Sequence, residues 1–372
     1  MRGMGNGIGR KRILDVAINF SPVISAFIGI LIGACFVALW GVSPIMFFAE
    51  LVKGALGDRL AVGSTLNNAA PLLIAGSGTA IAFRAGANNI GQEGQLFLGG
   101  LGAATVSLLI PNLPGVIGIP AIFLVSFIFG MAFASIAVLF RLLKGVNELL
   151  VTLLLNYVGT LLVAAMVNGP FRSATNVSYP QTDAFGEQFL LTNWPQFGYM
   201  HSGIFIAVAV VLVSGYFLWF TPMGLRIRNV GLSPEASRTT GSNPTAIFVV
   251  AMLISGGLSG LAGGVEVIGR SELLRQGFGA SLGFDSLAVA LLGDINPFAV
   301  LPAGLFFGAL RTGMQTMQRS IGIPSALLDL VKGVIMISIM VGGAIKLYVR
   351  LSGVKKQKRQ VEDDNVETSK EQ

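Results

Sequence analysis

The chain has 372 residues, 53% of them hydrophobic and 12% charged, with a mean hydropathy of +0.74. Such a length ordinarily divides into two or three soluble domains, but this composition excludes them; a spanning helix uses about 20 apolar residues and a short loop, so the chain makes one polytopic bundle. The formal charge of +7 lies mostly at the ends and in a few loops, which fits membrane orientation and argues against nucleic-acid binding.

The first segment, 1–21, carries Arg2, Arg10, Lys11 and Arg12 and is expected in the cytoplasm. The apolar run 22–42 is too long for a signal-peptide core and lacks a clear cleavage site, so it is a retained first span. It holds Cys35, the only cysteine, which excludes an intrachain disulfide and suits a small packing residue. The run 62–83 leads into IAFRAGANNIGQEGQLFLGG at 81–100, where Arg84, Asn88, Asn89, Gln92 and Glu93 stand between two apolar runs. Buried polar groups in hydrocarbon cost several kcal/mol unless they pair or line a wet path, so this reads as a discontinuous helix at a solute pathway. An ordinary cytoplasmic loop with an Arg84–Glu93 pair is the plainer alternative; bonds from both residues to broken-helix ends are another.

Further apolar runs follow at 95–111, 118–140, 149–169, 201–220, 245–268, 284–294, 297–314 and 325–347. The loop 141–148, with Arg141 and Lys144, and the linker 221–244, with Arg226, Arg228 and Arg238, are expected inside. The loop 170–200 is expected outside; its triplet Asn176-Val177-Ser178 carries no weight as a glycosylation acceptor. His201, the only histidine, excludes a histidine-cluster metal site. The end is basic, with Lys346, Arg350, Lys355, Lys356, Lys358 and Arg359, so both termini are placed in the cytoplasm and the crossings must be even. Splitting 284–314 at Asp294–Ile295–Asn296–Pro297 gives about ten spans, the short half being tilted, broken or partly spanning. The expected organisation is a transmembrane domain over 22–348 and a disordered cytoplasmic tail over 349–372, its basic half near lipid headgroups.

The stretch GFDSLAVALLGDINPFAVLPAGLFFGAL at 283–310 repeats the grammar of 82–104: a short apolar run, a Gly/Asn break with acids, then a Gly-spaced helix. Interrupted segments in two halves suggest a weak internal duplication. Gly256, Gly260 and Gly264, and again Gly304 and Gly308, form smooth stripes that fit packing within the bundle or a subunit seam. No GxxxxGK[ST], HExxH or credible GxSxG is present, so ATP hydrolysis and common hydrolytic chemistry are not expected of this chain.

In the linker, Ser233-Pro234-Glu235 has the form of a helix start: a capping serine, a proline in the first turn and an acid beside the positive helix end. Together FRAGANNIGQEGQ, KGVNELLVTLLLNYV, GLRIRNVGLSPEASRTTG and GFDSLAVALLGDINP resemble the permease subunits of bacterial ABC importers for simple sugars and nucleosides, a group that includes ribose-type and branched-chain amino-acid permeases. The resemblance covers about 60–345, and NIGQEGQ and GVNELLVTLLLNY look most like the nucleoside-type branch. It implies an all-α, type II ABC importer-like fold in a bacterial plasma membrane. It also implies a separate ABC ATPase carrying ATP and magnesium, a second permease chain (a heterodimer first) and an external substrate-binding lipoprotein. No cofactor is implied in this chain. By the same resemblance Ser233, Pro234, Glu235, Ala236 and Arg238 lie on the coupling helix that docks into the ATPase. Ser242, where the family often has an apolar residue, and the lack of a basic residue near Asp294 depart from its pattern.

An uncharged solute can be guided by amides, which donate and accept, and Asn67, Asn68, Asn88, Asn89, Gln92, Asn147 and Asn156 supply them beside Glu93. Each asparagine taken singly fits a helix cap or an interhelical bond equally well. The competing function is an ion-coupled transporter or channel using Glu93, Glu266, Asp285 and Asp294.

Overall fold

The computed structural model describes residues 21–175 and 178–368, with side chains as far as Lys346. The basic segment 1–20 and most of the Asn176 triplet therefore lie outside the described residues. Thirteen α-helices are found among those described: α1 (Ser21–Leu39), α2 (Pro44–Leu56), α3 (Arg59–Arg84), α4 (Gln92–Leu109), α5 (Gly115–Lys144), α6 (Glu148–Asn168), α7 (Gly203–Phe220), α8 (Pro222–Leu232), α9 (Pro234–Thr239), α10 (Pro244–Glu266), α11 (Leu282–Leu292), α12 (Pro297–Ile321) and α13 (Ser325–Thr368). A π-helical turn, Val267–Ser271, continues α10, and a small hairpin pairs β1 (Asn193–Trp194) with β2 (Met200–His201).

The described residues form two compact units, 21–44 with 324–368, and those within 45–323. In the first, α1 runs antiparallel to α13: the Ser21 hydroxyl donates to the Gly342 carbonyl at 2.8 Å, and Gly33 faces Val331. In the second, α3 is the central helix, with every residue from Asn68 to Ala82 buried. The Gly256, Gly260 and Gly264 stripe of α10 lies on α5, where Cβ atoms would come within 2.5 Å of Ala134 and Ser126. Gly304 and Gly308 of α12 lie against α3 in the same way. Small residues let these backbones approach where apolar burial against lipid gives no drive.

Among the described residues, seven helices are long and apolar enough to cross a membrane: α1, α5, α6, α7, α10 with its π turn, α12 and the Ser325–Lys346 part of α13. At 26 and 18 residues, α3 and α4 are long enough as well, but they are less apolar and are wrapped by protein. The run 284–294 becomes the 11-residue α11, and its C-terminal break puts Asp294 and Ile295 at φ +53° and +55°. A left-handed β-branched residue is rare and marks a backbone held by its surroundings.

Two expectations are corrected. Residues 44–56, assigned to no element by hydropathy, form α2, which buries Phe47, Gly54 and Ala55 and leaves most of its other residues partly or fully exposed. The tail expected to be disordered from 349 is helical to Thr368; Lys, Gln, Arg and Glu are strong helix formers, and proline is absent. The loop 170–200 is docked rather than loose. Thr182 N–H donates to the Leu274 carbonyl, Phe185 N–H to Glu272 and Leu191 N–H to Ile268, at 2.8–3.0 Å, with Phe189 buried beneath.

Candidate functional site

The two interrupted segments meet. Helix α4 starts at Gln92, and its second residue, Glu93, aims its carboxylate at the N-terminus of α11. That carboxylate accepts from Ser281 N–H at 2.6 Å, Gly283 N–H at 2.7 Å and Phe284 N–H at 3.4 Å. These N–H groups have no partner within α11, and the negative charge complements the helix dipole. Gly283 makes the approach possible, because a Cβ there would stand 2.2 Å from the Glu93 nitrogen. At the other end of α11, the Arg84 guanidinium donates to the Ile295 carbonyl at 2.8 Å and to the Asp294 carbonyl at 3.2 Å. The unusual backbone at Asp294–Ile295 supplies these two acceptors. Arg84 and Glu93 thus bond to opposite ends of one half-helix, and the ordinary-loop alternative, with its Arg84–Glu93 pair, is not what is seen.

Behind Glu93 the amides form a buried knot. Asn89 Nδ2 donates to Gln95 Oε1 at 2.9 Å and to Ser255 Oγ at 3.0 Å, and Gln95 Nε2 returns a bond to Asn89 Oδ1 at 3.0 Å. Gln92 Nε2 donates to the same Ser255 oxygen at 2.7 Å, while Gln92 Oε1 is buried without a partner among the described residues. Asn156 spans the break, accepting from Gly94 N–H and donating to the Ile90 carbonyl, each at 2.9 Å.

The other asparagines lie elsewhere. Asn67 ties α3 to the hairpin by donating to the Tyr199 carbonyl and accepting from His201 N–H, both at 2.9 Å. Asn68 donates to Thr312 Oγ1 at 2.9 Å and accepts from Arg270. Asn147 is exposed and caps α6 through Leu149 N–H at 3.0 Å. Asn88 is exposed, with its N–H 3.5 Å from Glu148. The eight candidates therefore do not converge on one cavity; Asn89, Gln92, Glu93 and Asn156 do surround one break.

Two of the other carboxylates expected within spans, Asp285 and Glu266, have cationic partners. Asp285 pairs with Arg311 at 3.1 Å and Glu266 with Arg270 at 3.7 Å. Sequence reasoning missed Gln95, Ser255, Arg270 and Arg311. The two arginines were legible as charges within or at the end of apolar runs; the serine had no signal beyond its place in a Gly-rich helix.

A family model described as branched-chain amino acid transport system / permease component matches residues 61–340. The chain belongs to that family. Similar relatives of this permease include a glucose ABC transporter permease protein of Haloferax volcanii, 28% identical over 88% of this chain and 88% of its own. A nucleoside ABC transporter permease protein of Lactococcus lactis is 29% identical over 88% and 92%, and a guanosine ABC transporter permease protein of Bacillus subtilis 28% over 88% and 94%. The chain is thus a transport subunit and a multi-pass membrane protein.

In this permease the linker helix α9 is six residues long. Ser233 caps it, its Oγ accepting from Ala236 N–H at 3.2 Å, while Pro234, Glu235, Ala236 and Arg238 are exposed. Two titrating groups lie outside the spanning helices. The Ser173 and Thr175 hydroxyls hold the Asp183 carboxyl below its ordinary range. Burial, helped by the charge of Arg270, lowers His201 to about 4, so its ring is neutral.

Proposed function

We propose that this permease passes a nucleoside, or a related simple sugar, through the membrane for an external binding protein and is driven by a separate ABC ATPase. The observation that carries the reading is the buried break at 89–93. Its one carboxylate is occupied by backbone N–H groups, so what remains toward a passing solute is amide chemistry suited to an uncharged molecule. The nucleoside, guanosine and glucose transporters among the relatives point to the same solute class.

The crossing count that fits is ten: the seven apolar helices together with α3, α4 and the half-helix α11, in a type II importer-like arrangement with both termini cytoplasmic. The meeting of the two breaks at α11 supports a duplicated plan. Of the pathway candidates, Gln92 retains an unspent acceptor, whereas Asn67, Asn68, Asn89, Asn147 and Asn156 serve as ties and caps. The exposed α9, next to Leu232 at 86% exposure, offers the ATPase a mixed polar and apolar contact through Ser233, Pro234, Glu235, Ala236 and Arg238. A second permease chain, different from this one, completes the pathway.

The experiment is an uptake panel of nucleosides, pentoses, hexoses and branched-chain amino acids in cells lacking this chain. Loss of nucleoside or sugar uptake is expected; loss of amino-acid uptake alone would overturn the solute reading. Uptake that stops when the proton gradient collapses while ATP is maintained would favour ion coupling. The carboxylate pairings argue against that outcome.

A further inference from the structure

A second polar site lies within the larger unit, between α2, the start of α3 and the end of α12. It is a cavity of about 360 Å³, inside the range of small-molecule sites. Three cations, Lys53, Arg270 and Arg319, and two anions, Glu50 and Asp58, face it. Glu266, paired with Arg270 at 3.7 Å, brings the formal balance to zero. A site with both signs present and no net charge selects against ions and offers many donors and acceptors to a neutral molecule.

Arg270 has three side-chain partners, Asn68, Gln315 and Glu266. It stands on the π turn Val267–Ser271, a helix irregularity that recurs at functional sites. Its guanidinium donates to Asn68 Oδ1 and, at 3.4 Å, to Gln315 Oε1. Asn68 is itself oriented by its bond to Thr312, which lines the same cavity. Two of the five guanidinium N–H groups are spent in these bonds, and others remain for a molecule in the cavity. Such a planar fork, fixed by neighbours, discriminates between hydroxyl and carbonyl patterns in a way that a flexible lysine does not.

We propose that this cavity is an outer holding site for an uncharged, hydroxyl-rich solute, with Arg270 as its specificity-determining side chain. The solute class rests on the function proposed above; the cavity does not depend on the break at 89–93. It holds the solute between release from the external binding protein and passage along the bundle.

The test uses cells expressing the whole transporter with Cys35→Ser, so that Ser64→Cys at the cavity wall is the chain's only thiol. Its reaction with a membrane-impermeant maleimide is timed with external uridine, glucose or glutamate. Uridine or glucose at ten times its half-saturating concentration should slow labelling about tenfold, and glutamate should leave it unchanged. Absence of protection by both neutral probes up to their solubility limits would overturn the site, as would equal protection by glutamate. Arg270→Lys should change the ratio of protection by uridine and glucose; an unchanged ratio would overturn its specificity role. Uptake of both probes by the Cys35→Ser chain is measured beside these. Uptake without protection removes the cavity and leaves the function standing, while protection without uptake of either probe keeps the cavity and removes the function.

Discussion

The break at 85–93 and the linker helix α9 are both short polar stretches between apolar runs, yet the folded chain uses them in opposite ways. Around the break, Asn89, Gln92 and Glu93 are buried and bonded to α10 and α11, and Gln95 is buried and bonded to Asn89. On α9, Glu235 and Arg238 are exposed, the cap Ser233 is half-buried and only Ser237 is buried. A polar side chain inside a bundle is held by the cost of leaving it unbonded; at the rim that cost vanishes, and it is available to a partner. Polarity in a membrane sequence therefore marks scaffold and contact surface alike, and burial separates them.

The contrast breaks most forcefully at Gly283. Gly283→Val places side-chain atoms where the Glu93 backbone stands and should cost about 3 kcal/mol or more, with little monodisperse protein recovered in detergent. Glu93→Ala leaves the N-terminal N–H groups of α11 without their acceptor and should cost on the order of 3 kcal/mol, read as a lower unfolding temperature. Glu93→Gln, which keeps one carbonyl oxygen, should recover part of that loss.

His201 extends the comparison to the end of the bundle near the hairpin. Its folded pKa, about 4, lies below the ordinary 6.5, so its contribution is complete above pH 6.5 and is lost as pH falls toward 4. The loss is on the order of 3 kcal/mol. Thermal unfolding across that window should show it, and His201→Gln should flatten the dependence. Smaller still, Asn156→Leu removes one bond to α4 and one to the break, at about 1 kcal/mol in a membrane bundle. Its uptake per folded molecule should stay near normal. Gln92→Leu should slow uptake per folded molecule if its spare acceptor meets solute.

Much of the bundle was legible because spans announce themselves by length and apolarity, and parity of charge required the split at Asp294–Pro297. The helix α2 was not, since its 13 residues, Pro44–Leu56, fall below spanning length and its burial depends on packing within the fold. The site was legible by segment and less so by role. The sequence places Arg84 and Glu93 in one motif, but their partners are more than 180 residues away, at 281–284 and 294–295. In the sequence Asn147 stands both as a pathway amide and as a cap-type residue ahead of an apolar run; in the fold it caps α6.

The measurement closest to the central claim is solute uptake per folded molecule in the Glu235→Lys permease, with ATP hydrolysis recorded in the same membranes. The exposed position predicts an unchanged stability, within about 0.5 kcal/mol, because the substitution breaks no buried bond. Reversing the charge on the α9 contact surface should nevertheless lower both uptake and stimulated ATP hydrolysis. Full uptake with normal hydrolysis would contradict the assignment of α9 as the place where the ATPase drives this permease.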